Sequence, residues 1–221
     1  MNRKLFLGLF TIVAIAAASL FIGEASAKSN LSDSKQNAKS NVAPSVSTTL
    51  VISQVNGGGG GATGTYLFDY VEIKNISSTP QSLNGLSLYY GSAVGQFAST
   101  AGNAFALPNV SLNPGQYYFV QVGPTGTVGA AFPVTPDATT ANLTMSGTSG
   151  KVALATAALP INTCGATATP CSAGQLALLV DWVAWGAAGN GTAGNGEGGT
   201  DRKSTRLNSN HPRLSRMPSS A

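Results

Sequence analysis

Residues 49–55, TLVISQV, and residues 66–90, YLFDYVEIKNISSTPQSLNGLSLYY, decide the fold. In the first stretch Leu50, Ile52 and Gln54 alternate with Val51, Ser53 and Val55. In the second, Leu67, Asp69, Val71 and Ile73 oppose Phe68, Tyr70, Glu72 and Lys74. A period of two places alternate side chains on opposite faces of a strand. Asn56 and a run of five glycines at 57–61 lie between them. No Gly-Lys-Ser/Thr and no helical pattern follow, so the run is a strand connection and not a phosphate loop.

Working outward, the same period recurs. Strands are expected at 85–90, at 116–122 after the LNPG turn, and across 176–185, LALLVDWVAW. Residues 142–145 and 151–155 read as a hairpin around 146–150. Short strands punctuated by Gly, Pro, Asn and Ser predict an all-β sandwich in one domain of about 150 residues. The expected organisation is a signal at 1–27, a flexible spacer at 28–47, a sandwich at 48–200 and an unrelated tail at 201–221.

The N-terminus carries Arg3 and Lys4, an apolar run over 5–22, and Ala25-Ser26-Ala27. That is a secretory signal with a small-x-small cleavage site, leaving a mature chain from Lys28. The competing reading is an uncleaved anchor, because the run approaches spanning length. After cleavage no membrane segment is expected, and the location is secreted or extracytoplasmic. Residues 28–47 are too poor in large apolar side chains to fold.

The tail has a different composition. Four of the five arginines and His211, the only histidine, fall within it. Residues 201–209, DRKSTRLNS, and 215–221, SRMPSSA, resemble the translated constant segments of a short-read sequencing adapter. Residues 212–214 match its variable index, and Asn210 departs by one base. The tail is therefore excluded from fold reasoning; the other reading is a basic interaction arm.

Removing both ends changes the charge argument. The whole chain has a formal charge of +4. Over 28–200, Lys28, Lys35, Lys39, Lys74 and Lys151 stand against Asp33, Asp69, Glu72, Asp137, Asp181 and Glu197. That nearly neutral module lacks the basic footprint of nucleic-acid binding. Cys164 and Cys171 form an even, close pair, which in an exported chain predicts a disulfide. Free thiols are the alternative, if the loop splays their Cβ atoms.

The sandwich segments are VISQV-x-GGGG, DYVEIKN and P-x-x-L-N-G-L-S-L-Y-Y, then SLNPGQYYFVQ, PDAT, NLTMS, GKVAL and VDWVAWG. In this order they resemble the lamin tail domain in its bacterial exported form, across 51–186. The resemblance implies an immunoglobulin-like β-sandwich without a universal catalytic site. It also implies a further closing strand after the D-x-V-x-W-G segment. Residues 187–200 are rich in Gly, Asn and Ala instead, so a truncated gene product lacking its last strand is expected.

Catalysis is hard to build without a histidine in the module. Asp69 and Glu72 fall on opposite strand faces, and Glu72 and Lys74 are expected on a polar face. No cofactor is expected; a calcium ion is the one considered, with Asp69, Asp137, Asp181 and Glu197 as oxygen ligands, but no spacing matches a known calcium loop and solvated surface acids are the other reading. Trp182 and Trp185 point to opposite sides, so one at most is expected in the core, and Tyr89/Tyr90 and Tyr117/Tyr118 each send one ring outward. Asn30, Asn75, Asn109, Asn142 and Asn190 begin glycosylation sequons. The expected function is an exported, non-enzymatic binding or structural module for an extracellular or cell-surface protein or polysaccharide. The alternative is an accessory domain of a secreted nuclease or phosphoesterase whose catalytic part is missing.

Overall fold

The computed structural model describes residues 47–157, 163–166 and 168–186. The expected signal, most of the expected spacer, residues 187–200, where the closing strand is expected to be missing, and the tail lie outside the described residues. Ten strands, one four-residue α-helix and a short 3-10 turn at Ala101–Asn103 make up the regular structure of the described residues. The strands and the α-helix are β1 (Leu50–Asn56), β2 (Asp69–Asn75), β3 (Gln81–Ser82), β4 (Leu86–Ser92), β5 (Ala104–Ala106), β6 (Ser111–Leu112), β7 (Tyr117–Val122), β8 (Ala138–Thr139), β9 (Gly150–Thr156), α1 (Ala173–Leu176) and β10 (Leu179–Trp185). One sheet has the order β1-β2-β7-β8 and the other β10-β9-β4-β5, with β3 and β6 as a small ribbon. All pairings are antiparallel except β7 with β8.

The inner faces meet in one apolar layer. Ile52, Val71, Ile73 and Val120 come from the first sheet, and Leu88, Val152, Leu154 and Val183 from the second. Each fully buried side chain of this size contributes about 1.5–3 kcal/mol. Both outer faces are covered as well. Tyr70 and Phe119 lie under Tyr66 and Phe132. Tyr89, Ala153, Ala155 and Trp182 lie under Phe97, Ala98 and Cys164. β2 is therefore buried at all seven positions and β9 at six. Three apolar layers explain why side chains on both faces of a strand are inside.

The alternation of β1 is broken once. Ile52 pairs with Ile73 and Gln54 with Glu72, leaving Ser53 as an extra residue. The bulge turns Val55 inward beside Ile52, whereas strict alternation separates them. Gln54 instead accepts a hydrogen bond from the Tyr70 hydroxyl at 3.1 Å.

The expected hairpin at 142–145 does not form; only β9 is a strand. Leu143 has φ 61°, a left-handed conformation that cannot continue a ladder. Its side chain is fully buried and its N–H donates to Gly102 O at 2.8 Å. Anchoring Leu143 in the core outweighs the local strand preference. The region 176–185 likewise divides into the end of α1 and β10. Ser172 caps α1, with Gln175 bonding back in a capping box.

Candidate functional site

Asp69, at the start of β2, fastens two loops at one end of the sandwich. Its Oδ1 accepts Gly59 N–H at 2.8 Å and its Oδ2 accepts Met145 N–H at 3.0 Å. Burial raises its pKa to about 6, and these two bonds only partly oppose the rise. The 143–147 strap is held further by Tyr90, whose hydroxyl accepts Ser146 N–H at 3.1 Å, and by Trp185, whose Nε1 donates to Ser146 O at 2.9 Å. The glycine run is used for close approach. A Cβ on Gly59 would collide with the Phe68 carbonyl, and Gly60 (φ 71°) crosses Gly126 backbone to backbone. Only glycine fits such crossings. The loops at 57–67 and 123–136 contain no charged residue, and Val128 is exposed on them.

The other two described candidate ligands lie elsewhere, and Glu197 lies outside the described residues. Asp137 is exposed, and its Oδ2 accepts Phe119 N–H at 2.7 Å, tying the run before β8 to β7. Asp181 is buried on β10 and accepts Ile52 N–H at 2.6 Å. It satisfies an outward-facing N–H of edge strand β1 and joins the edges of the two sheets. Each carboxylate is engaged at a different place in the fold. Among the described residues, no three His, Cys, Asp or Glu side chains gather closely enough to hold a metal ion.

Glu72 and Lys74 correct a sequence expectation. Neither lies on a solvated polar face: both are buried. Glu72 accepts the Ser53 hydroxyl at 2.8 Å, and the Lys74 ammonium stands 4.7 Å from the Tyr117 ring centroid. The outer cover over this sheet, supplied by residues such as Tyr66 and Phe132, left no periodic signal. Asn75, a sequon residue, is fully buried with four hydrogen bonds. Its Nδ2 donates to Thr79 O and Leu112 O, and its Oδ1 accepts from the N–H and hydroxyl of Ser77. No glycan can be attached there in the folded state. Asn109 is exposed, and Asn142 donates to Ala104 O. Asn30 and Asn190 lie outside the described residues.

The tryptophans do face opposite ways, and both are buried. Trp185 enters the central core and stacks on Tyr90, with centroids 6.3 Å apart. Trp182 enters the outer layer against Phe97 at 5.4 Å. Tyr89 and Tyr90 are also both buried, and Tyr117 is half-buried beside buried Tyr118. The expectation of outward aromatics failed because a second apolar layer covers the outside of β4, β9 and β10. Cys164 and Cys171 are joined as a disulfide, with Cα atoms 4.6 Å apart.

The model of the Lamin Tail Domain family matches residues 43–187. The chain belongs to the lamin tail domain family. A comparison with curated proteins found no match. The match spans every described strand, and the fold is the all-β, immunoglobulin-like sandwich of that family. This lamin tail domain has an unusual distribution of charge. Its described residues include six charged side chains, of which Asp69, Glu72, Lys74, Lys151 and Asp181 are buried and Asp137 alone is exposed. In the sequence, the one mark on Lys151 is its alternation with Ala153 and Ala155 on one strand face.

Proposed function

We propose that this lamin tail domain is an exported, non-catalytic binding module that docks on a neutral extracellular polysaccharide or protein surface. The observation that carries this reading is the placement of its charge. Among the described residues every carboxylate and amine except exposed Asp137 is turned inward and engaged by backbone groups, a hydroxyl or an aromatic ring. The outside offers hydroxyls, amides and loop backbone. Such a surface recognises partners through neutral hydrogen bonds and apolar contact. It provides little long-range steering toward polyanions. Export is supported by the leader, with its Ala25-Ser26-Ala27 cleavage pattern, and is compatible with the disulfide.

The test is expression of the full chain in a secreting host. The expected product is recovered from the medium with Lys28 as its first residue by mass spectrometry. It binds immobilised neutral polysaccharides or cell-surface proteins and hydrolyses neither nucleic acid nor phosphodiesters. Retention in the cytoplasm would overturn the export reading. Hydrolysis by the purified chain would overturn the non-catalytic one.

A further inference from the structure

Lys151 lies at the start of β9 with its side chain on the outer face of the second sheet. It pairs with Gly91 on β4 and Ala184 on β10. A Cβ on Gly91 would lie 3.0 Å from Lys151 Cε, so the glycine makes room for the lysine stem. The residue is fully buried. Its ammonium donates to Ser92 O at 2.9 Å and to Ala93 O at 3.3 Å, and stands 5.6 Å from the Phe97 ring centroid. Among the described residues no carboxylate pairs with it. An unpaired buried ammonium is costly. Burial lowers its pKa to about 8, so part of the population carries a free amine near neutral pH.

The cover over this amine is Phe97, and Phe97 is held by the disulfide-bonded segment. Its N–H donates to Cys164 O at 2.9 Å. A Cβ on Gly165 would fall 2.5 Å from the ring, so the glycine lets this segment pack closely against Phe97. The Gln96 side-chain amide donates to the Thr169 hydroxyl at 2.8 Å. Ala98, the next residue, is held at φ 47°, a conformation disfavoured for alanine. Under the same cover, Trp182 Nε1 has no hydrogen-bond partner among the described residues. Opening would hydrate both the ammonium and the indole N–H, and so recover solvation that the closed state forgoes.

We propose that Lys151 is a concealed nucleophilic amine, a modification site for activated acyl groups, and that the Cys164–Cys171 bridge controls access to it. A dithiol reductant opens the bridge: two electrons from the dithiol reduce the S–S bond to two thiols, and the dithiol becomes a cyclic disulfide. Phe97 then loses its clamp. The hydrated ammonium of the open state gives up a proton to solvent, and the neutral Nζ so formed attacks the carbonyl carbon of an acyl ester. An amide N–C bond forms, the ester C–O bond breaks, and the leaving oxygen departs as the nitrogen loses a proton.

The experiment treats the purified chain with an N-hydroxysuccinimide acetate, with and without dithiothreitol, and maps acetylation by peptide mass spectrometry. Lys74 is buried in the other sheet and reports general unfolding. The expected result is an increase of about tenfold in the Lys151 rate on reduction, with Lys74 unchanged. A Cys164→Ser/Cys171→Ser double variant should reproduce the fast rate without reductant. Equal acceleration at Lys74 would mean that the bridge supports the whole fold, and would overturn the proposal. An unchanged Lys151 rate in the reduced protein and in the folded double variant would overturn it as well.

Discussion

Asp69 and Lys151 are ionisable groups inside one small sandwich, and their burial acts in opposite pH windows. Asp69 has its carboxyl raised from 3.8 to about 6 in the fold. The native state therefore binds more protons than the unfolded chain between these values. Its contribution to stability is fully present below pH 3.8 and is lost as pH rises through about 6. Lys151 is lowered from 10.5 to about 8, so its contribution is present above 10.5 and lost as pH falls through about 8. Urea denaturation across pH should show wild type losing stability relative to Asp69→Asn between about pH 4 and 6. It should show wild type gaining relative to Lys151→Met between about pH 8 and 10.5. Parallel curves would mean that the groups are solvated. Asn75 gives a third test at this scale. In Asn75→Asp, acceptors face the carbonyls of Thr79 and Leu112, where the amide donated. At about 1–3 kcal/mol for each buried unsatisfied group, we predict a loss of roughly 3 kcal/mol in urea denaturation. A loss below about 0.5 kcal/mol would contradict the hub role.

At the scale of elements, the Ser53 bulge sets which way β1 faces. Deleting Ser53 leaves Ile52 and Val55 two positions apart, so a regular strand without the bulge keeps both inward. The expected outcome is a deletion variant that still unfolds cooperatively, having lost the Ser53 hydroxyl bonds to Glu72. Loss of cooperative thermal unfolding in that variant would contradict this register. The bulge also marks what was legible in the sequence. The main strands announced themselves through period two, and the turn at 113–115 through Asn-Pro-Gly. The covers did not: Phe97 and Phe132 lie in irregular loops, and nothing periodic says that they fold back over a sheet. For the same reason Glu72 and Lys74 read as a polar face, and one ring of each of the pairs Tyr89/Tyr90 and Trp182/Trp185 is expected outside, although all six are buried. Residues 142–145 misled in the other direction. They have strand composition, yet the pull of Leu143 into the core forces a left-handed backbone there. Of the candidate ligands, only their residue type was legible. That Asp69, Asp137 and Asp181 each cap a backbone N–H depends on contacts 10 to 129 residues apart in the chain.

At the scale of the whole molecule, a sandwich that buries its charge has a nearly neutral exterior. Interactions between such a surface and a partner depend little on ionic strength, because there are few exposed charges to screen. The pI of 9.2 describes the two ends of the chain and not this surface. The binding proposed for this lamin tail domain runs through neutral groups. Its decisive test is retention of the purified protein on the cell envelope of its source between roughly 0.05 and 0.5 M salt. The expected result is retention that changes less than about twofold over that range and is removed by digesting envelope polysaccharide or protein. Elution by salt, with affinity falling by orders of magnitude as it does for polyanion binding, would contradict it.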